Sequence, residues 1–183
     1  MRNVRGILFL DYVRMLKAHK GVEWTAFLAP SDLPYLDMQI DTTAWYPMES
    51  FERMGNAILR FIAGGKLMPV QLWGRFSAAQ LKSSYPRLLA ANDPVETVNR
   101  FRVMRETFFD FPALEVRMLH EGEAQIAIHY HMGMPAEEAA SYQTMGFFEG
   151  LLELTTAKQI RAELREKSWA GDSRTLLVVR WTQ

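Results

Sequence analysis

The feature that most constrains this chain is a change of hydrophobic period past its middle. Up to Phe111-Pro112, apolar residues recur three and four apart; beyond that point they alternate. The first spacing lines one side of a helix, and the second lines one face of a strand. Helices first and strands second predict an α+β fold.

In the first half, Leu8, Tyr12, Leu16 and His19 share a helix side, with Gly21 as a stop. Trp24 to Leu28 reads as a short second helix. Pro30 and Pro34 predict irregular structure up to Thr43. Trp45-Tyr46-Pro47 opens a helix with proline in its first turn, followed by the stripe Phe51, Met54, Ile58 and Phe61-Ile62 and ended by Gly64-Gly65. Another helix is expected over Met68 to Ser83, with Leu72, Trp73, Phe76 and Leu81 on its apolar side. Asp93-Pro94-Val95-Glu96 is a helix start. Aspartate caps, proline takes the first turn, and glutamate reaches back to the cap.

In the second half, Leu114, Val116, Met118 and His120 alternate, and so do Ile126, Ile128, Tyr130 and Met132. They predict a hairpin with a loop at 121–123, Met118 opposite Ile126 and Val116 opposite Ile128. Glu115 then lies across from His129. A helix begins at Pro135 with Tyr142, Met145, Phe148 and Leu152 on its stripe. Gly146 and Gly150, four apart, let that helix approach its packing partner closely. Segments 159–167 and 174–182 read as a second hairpin turned at Ala170-Gly171-Asp172. Continuous hydrophobicity over Leu176 to Val179 predicts a strand covered on both faces. The expected fold is N-terminal helices packed on a four-stranded antiparallel sheet, made of two hairpins separated by a Gly-containing helix.

Composition excludes several functions. At 183 residues the chain fits one domain, 1–183, that buries roughly 70% of its unfolded surface without staples. It has no cysteine, which excludes disulfides, iron–sulfur clusters, thiolate zinc sites and a cysteine nucleophile. Lys+Arg and Asp+Glu both total 21, so no basic footprint for nucleic acid is visible. Arg100, Arg102 and Arg105 read as a solvated helix face. The run Ile7 to Leu10 is broken by Asp11 and Arg14, too short for a signal or a membrane span. A cytoplasmic setting is the expectation.

No phosphate loop, dinucleotide fingerprint or nucleophile elbow is present. Glu137-Glu138 sits in a first helical turn, where the helix dipole accounts for it. No acid–base pair emerges. His129-Tyr130-His131 is the one arrangement with metal-ligand character, because residues two apart on a strand point to one side; two solvated histidines on a hairpin have the same signature. Haem ligation by His19, His120, His129 or His131 would rest on a lone histidine each. Trp45, Tyr46, Trp73, Phe76 and Tyr142 are candidate lining residues for an apolar pocket, or simply core.

Several short motifs recur together: Arg5-Gly6, Trp45-Tyr46-Pro47, Gly74, Gly146-Phe147-Phe148-Glu149-Gly150, and Trp169-Ala170-Gly171-Asp172 before a strand ending in Trp181. In this order they resemble a Myxococcales-restricted family of unknown function. That family is more distantly similar to 4-vinyl-reductase-type domains, haem-NO-binding domains and vesicle transport-particle subunits, a likeness carried by Tyr142 to Trp181. The resemblance implies an antiparallel sheet with helices, often a dimer, and an apolar pocket. The vinyl-reductase-type cysteines are missing here. So are the Y-x-S-x-R motif and helix-borne proximal histidine of the haem-binding members. No cofactor, metal or catalytic residue is therefore carried over. The expectation is a non-enzymatic small-molecule-binding or sensing domain, with a homodimer or protein partner. The alternatives are a ligand-free interaction adaptor and a metal-dependent enzyme using His129 and His131.

Overall fold

The computed structural model describes residues 1–183. The chain divides into two compact units, Met1–Lys66 with Glu106–Phe111 and Leu67–Arg105 with Pro112–Gln183.

In the first unit, β1 (Asn3–Arg5) pairs antiparallel with β2 (Trp45–Pro47), Val4 opposite Tyr46. Helix α1 (Gly6–Ala18) follows β1 without a loop. At this junction Gly6 lets the Asp41 backbone pack closely: a Cβ there would lie 1.9 Å from the Asp41 carbonyl oxygen. Phe9, Tyr12, Val13 and Leu16 form the buried side of α1. Phe9 stacks on Tyr46 at 4.6 Å, and Tyr12 stacks on Phe51 of α3 (Met48–Ala57) at 4.0 Å. Helix α3 widens into a π-turn over Ile58–Ile62, and Gly64 and Gly65 stop it with φ of +61° and +74°. The Asp32 side chain is fully buried and takes a two-point grip from Arg53, at 2.6 and 2.8 Å, plus the Ala29 N–H.

Two expectations change here. Pro47 ends a strand and caps α3, rather than filling the first helical turn. Three residues are too few to show alternation, so β1 and β2 leave no periodic trace. Within 30–43, Pro34 opens a single helical turn, α2 (Pro34–Asp37), because its fixed φ suits a first helical position.

In the second unit, α4 (Leu67–Ser84) packs along α6 (Ala136–Glu153). The sheet is antiparallel, in the order β3 (Leu114–His120), β4 (Glu123–Ile128), β6 (Thr175–Thr182), β5 (Lys158–Glu166). The two predicted hairpins are present, with the glycine-bearing helix between them. Leu176 to Val179 are at most 4% exposed, as expected of a strand covered on both faces. Helix α5 (Pro94–Met104) starts at Asp93, whose carboxylate accepts the Glu96 N–H at 2.8 Å.

The predicted apolar side of α4 holds at Leu81, which is buried, and fails at Leu72 and Phe76. Its buried residues are Val70, Gly74, Ala78 and Leu81, while Leu72 and Phe76 face out. The cause is close helix approach. A Cβ on Gly74 would stand 1.9 Å from the Gln143 carbonyl oxygen, and one on Gly146 would stand 1.8 Å from that of Gln71. Small residues therefore take the contact and large ones are left on the opposite side.

The predicted hairpin register is also wrong. Val116 pairs with Ile126 and Leu114 with Ile128, and a bulge at Arg117 then places Met118 opposite Gln125. His120 pairs with Glu123, so the loop is Glu121-Gly122, with Gly122 at φ +84°. The bulge adds one residue and turns Leu119, not Met118, to the side of Ala124. Strand β4 ends at Ile128, so His129 to Met132 lie beyond the ladder.

Candidate functional site

The six residues after β4 are His129-Tyr130-His131-Met132-Gly133-Met134. The His129 N–H donates to the Ala113 carbonyl at 2.7 Å, a last link to the edge of the sheet. Tyr130 turns inward: it is buried and its hydroxyl bonds Thr144 on α6 at 2.6 Å. Burial pushes that phenol well above its ordinary pKa, so it stays neutral. His131 adopts φ +54°, and this left-handed residue, rather than strand geometry, brings the two imidazoles together. Their rings stack at 6.0 Å with a 24° interplanar angle.

His129 Nε2 lies 4.0 Å from a Glu115 carboxylate oxygen, so the expected neighbourhood of these two residues is present in a shifted register. Burial first, and His131 second, hold His129 below the usual imidazole range, with Glu115 pulling the other way. The segment borders a pocket of about 300 Å³, lined by His129, His131, Met132, Met134, Trp169 and Arg174 among others. Met134 is 56% exposed and Met132 half-buried. Alternation assigns Met132 to a strand's apolar set, which hides its place beside the imidazoles in the lining of this pocket. The spacing His-x-His-Met-x-Met is the signal that could have found it.

The five aromatic candidates divide between the units. Trp45 and Tyr46 belong to the first; Trp73, Phe76 and Tyr142 belong to the second. Trp45 is 39% exposed, and the Arg5 guanidinium lies over its ring at 3.9 Å. Tyr46 is buried against Phe9, and its hydroxyl accepts the Asp41 N–H at 2.9 Å. Trp73 on α4 and Tyr142 on α6 are half-buried. Phe76 is 67% exposed and continues a row with Met68 and Leu72 at four-residue steps along α4. The first unit also carries a groove of about 970 Å³ between α1 and residues 37–42, lined by Leu10, Val13, Arg14, Lys17, Met38 and Ile40 among others. One of its walls has no periodic pattern, so nothing in the sequence announces it.

On the solvent side of the sheet, Arg180 bridges Glu123 on β4 at 2.7 Å and Glu163 on β5 at 3.0 Å. Arg174 grips Glu166 through two bonds of 2.8 and 3.0 Å. These pairs knit the three strands and leave Arg174 engaged at the rim of the histidine pocket.

No family model and no curated protein matches the chain. Solved structures do. An H-NOX protein from S. oneidensis in the Fe(II)NO ligation state superposes over 98% of this chain and 99% of its own, with a TM-score of 0.67 at 14% identity. A point mutant of T. Tengcongensis H-NOX covers 98% of each chain with a TM-score of 0.60 at 13% identity. A trafficking protein particle complex subunit 3 from Naegleria fowleri, covalently bound to palmitic acid, matches 74% of this chain and 95% of its own, with a TM-score of 0.55 at 12% identity. The chain thus has an H-NOX-like α+β fold.

Haem does not fit the residues present. None of the six helices carries a histidine: His19 caps α1, His120 ends β3, and His129 and His131 follow β4. No tyrosine begins a Tyr-x-Ser-x-Arg pattern, and Tyr130 is followed at those positions by Met132 and Met134. No helix is long and apolar enough to cross a membrane.

Proposed function

We propose that this chain is a non-enzymatic domain that binds or senses an apolar small molecule without haem. The observation that carries it is the H-NOX-like fold retained over 98% of the chain while the helix-borne histidine is lacking. Two neighbours of this fold hold quite different groups, an iron-bound NO in one and palmitic acid in the other. Trp73, Phe76 and Tyr142 supply aromatic surface on α4 and α6, with Trp45 and Tyr46 on the first unit. The order of the short motifs further supports membership of the Myxococcales-restricted family, and a cytoplasmic homodimer fits both.

Native mass spectrometry of the untagged protein, followed by denaturation and analysis of released compounds, tests this. A reproducible apolar compound at one per chain is expected. Protein that remains empty after incubation with palmitate and other long-chain lipids would overturn it. Trp73→Ala should lower ligand retention by more than it lowers thermal stability. A purely structural tryptophan would instead show mainly a loss of stability, about 3–5 kcal/mol for full truncation.

One observation favours a second function, an interaction adaptor. Met68, Leu72 and Phe76 are 73%, 43% and 67% exposed on a single face of α4. Apolar rows of this kind mark contact surfaces. Leu72→Glu should then shift the native mass from dimer to monomer, with no small molecule released from either form on denaturation.

A further inference from the structure

The geometry points to a soft-metal site on the second unit, in which the imidazoles of His129 and His131 and the thioethers of Met132 and Met134 bind a Cu(I)-type ion at the pocket beside the end of β4. The site is independent of the apolar-ligand proposal and shares no residue with it.

Three observations carry the assignment. The first is convergence: all four donors come from one six-residue segment and all four line the same pocket of about 300 Å³. The two imidazoles are already stacked at 6.0 Å. The second is donor chemistry. Thioether sulfur is a soft ligand that serves Cu(I) and is a poor ligand for Mg²⁺ or Ca²⁺, while imidazole serves copper and zinc alike. No third His, Asp or Glu joins the pair as a metal-binding group, so a hard or carboxylate-rich site is not what the segment builds. The third is the placement of the methionines. Core packing would bury them, yet Met134 is 56% exposed at the pocket mouth and Met132 only half-buried.

The surroundings suit a monovalent cation held by neutral ligands. Imidazole and thioether both coordinate as neutral donors, so the four ligands add no charge of their own to the ion. Glu115 lies 4.0 Å from His129 Nε2, where its negative charge can offset that of the ion. Glu137 also lines the pocket, with its carboxylate accepting the Met132 N–H at 2.8 Å, which fixes the backbone beside one thioether. Arg174 is the pocket's one permanent cation, and Glu166 holds and neutralises it. Tyr130, between the histidines, is turned away to Thr144 and anchors the segment to α6.

The test is an anaerobic competition titration of the full chain against the coloured Cu(I) complex of bathocuproine disulfonate. One Cu(I) per chain should be withdrawn from the complex. Met132→Leu/Met134→Leu keeps the apolar volume and removes both sulfurs. His131→Asn removes a ring and keeps a residue that tolerates positive φ. Each should weaken Cu(I) affinity by about ten- to a hundredfold or more, the range seen even for outer-shell changes, with thermal stability unchanged. Met134→Leu alone, at an exposed position, tests the sulfur without any threat to folding. X-ray absorption at the copper edge should show sulfur and nitrogen scatterers together. Failure to withdraw copper would overturn the assignment. So would equal affinity in the double leucine variant, or nitrogen and oxygen scatterers only.

Discussion

At the residue scale, two positions tie this sequence to its fold through atoms that have nowhere else to go. Gly146 meets the Gln71 carbonyl oxygen so closely that a methyl group there would stand 1.8 Å away. The obstacle is backbone, so no rotamer change relieves it, and α4 and α6 must separate. Gly146→Ala should destabilise by about 3 kcal/mol or more, at or beyond the upper end of ordinary overpacking. It should do so despite the ~1 kcal/mol that alanine gains over glycine in a helix. Urea denaturation measures the difference. The second position is Asp32. Burial alone would raise its pKa, but bonds from Arg53, Ser50 and the Ala29 N–H outweigh burial and hold the carboxyl below its ordinary value. A carboxyl depressed in the folded state contributes stability that is complete above its unfolded pKa, about 3.9. That contribution is lost as pH falls through the folded value. The chain should therefore lose stability below about pH 4, and Asp32→Asn should be less stable at pH 7 with a flatter acid limb. Thermal melts from pH 7 to pH 3 decide it; an unchanged slope would remove Asp32 from the account.

At the element scale, what was legible was what repeats. The helices from α1 to α6 longer than two turns announced themselves by period, and so did four strands of six residues or more. The Asp93 cap was legible because its chemistry is local. Asp93→Ala should cost about 1 kcal/mol in the same denaturation assay, as is usual for a lost N-cap. Its supposed reciprocal partner was not legible: the Glu96 carboxylate goes to Asn99 and Arg100 instead of reaching back. An arginine one turn on offers a charged partner that a backbone N–H does not match. Strands β1 and β2 were invisible because three residues carry no period. The bulge at Arg117 was invisible because one added residue looks like continued alternation until the partner strand is seen. The outward side of α4 is illegible for a third reason. Hydrophobic size predicts burial only where there is room, and the glycine-lined contact with α6 has none. The histidine–methionine segment was half-legible. His129 and His131 stood out, while the thioethers were absorbed into a strand that stops at Ile128.

At the scale of the whole molecule, the open question is whether residues 1–183 unfold as one domain, as length and composition lead us to propose. The chain passes between its two compact units three times, near residues 66, 105 and 111, so neither unit is a single stretch of sequence. Residues 106–111 are held in the first unit by the Val4–Phe109 bridge and by the Arg5 N–H on the Phe108 carbonyl at 2.8 Å, while both flanking segments belong to the second. Opening the first unit must free a segment whose two ends are anchored in the second, which favours a cooperative transition. The tryptophans provide separate reporters: Trp24 and Trp45 lie in the first unit, and Trp73, Trp169 and Trp181 in the second. Two Trp→Phe variants, each emptied of the reporters of one unit, should give coincident urea midpoints by fluorescence, matching the midpoint by far-UV circular dichroism. Midpoints that separate beyond the shift caused by the substitutions themselves would mean two domains. Ligand binding or copper binding would then have to be assigned to one unit at a time, with added ligand raising the midpoint of that unit alone.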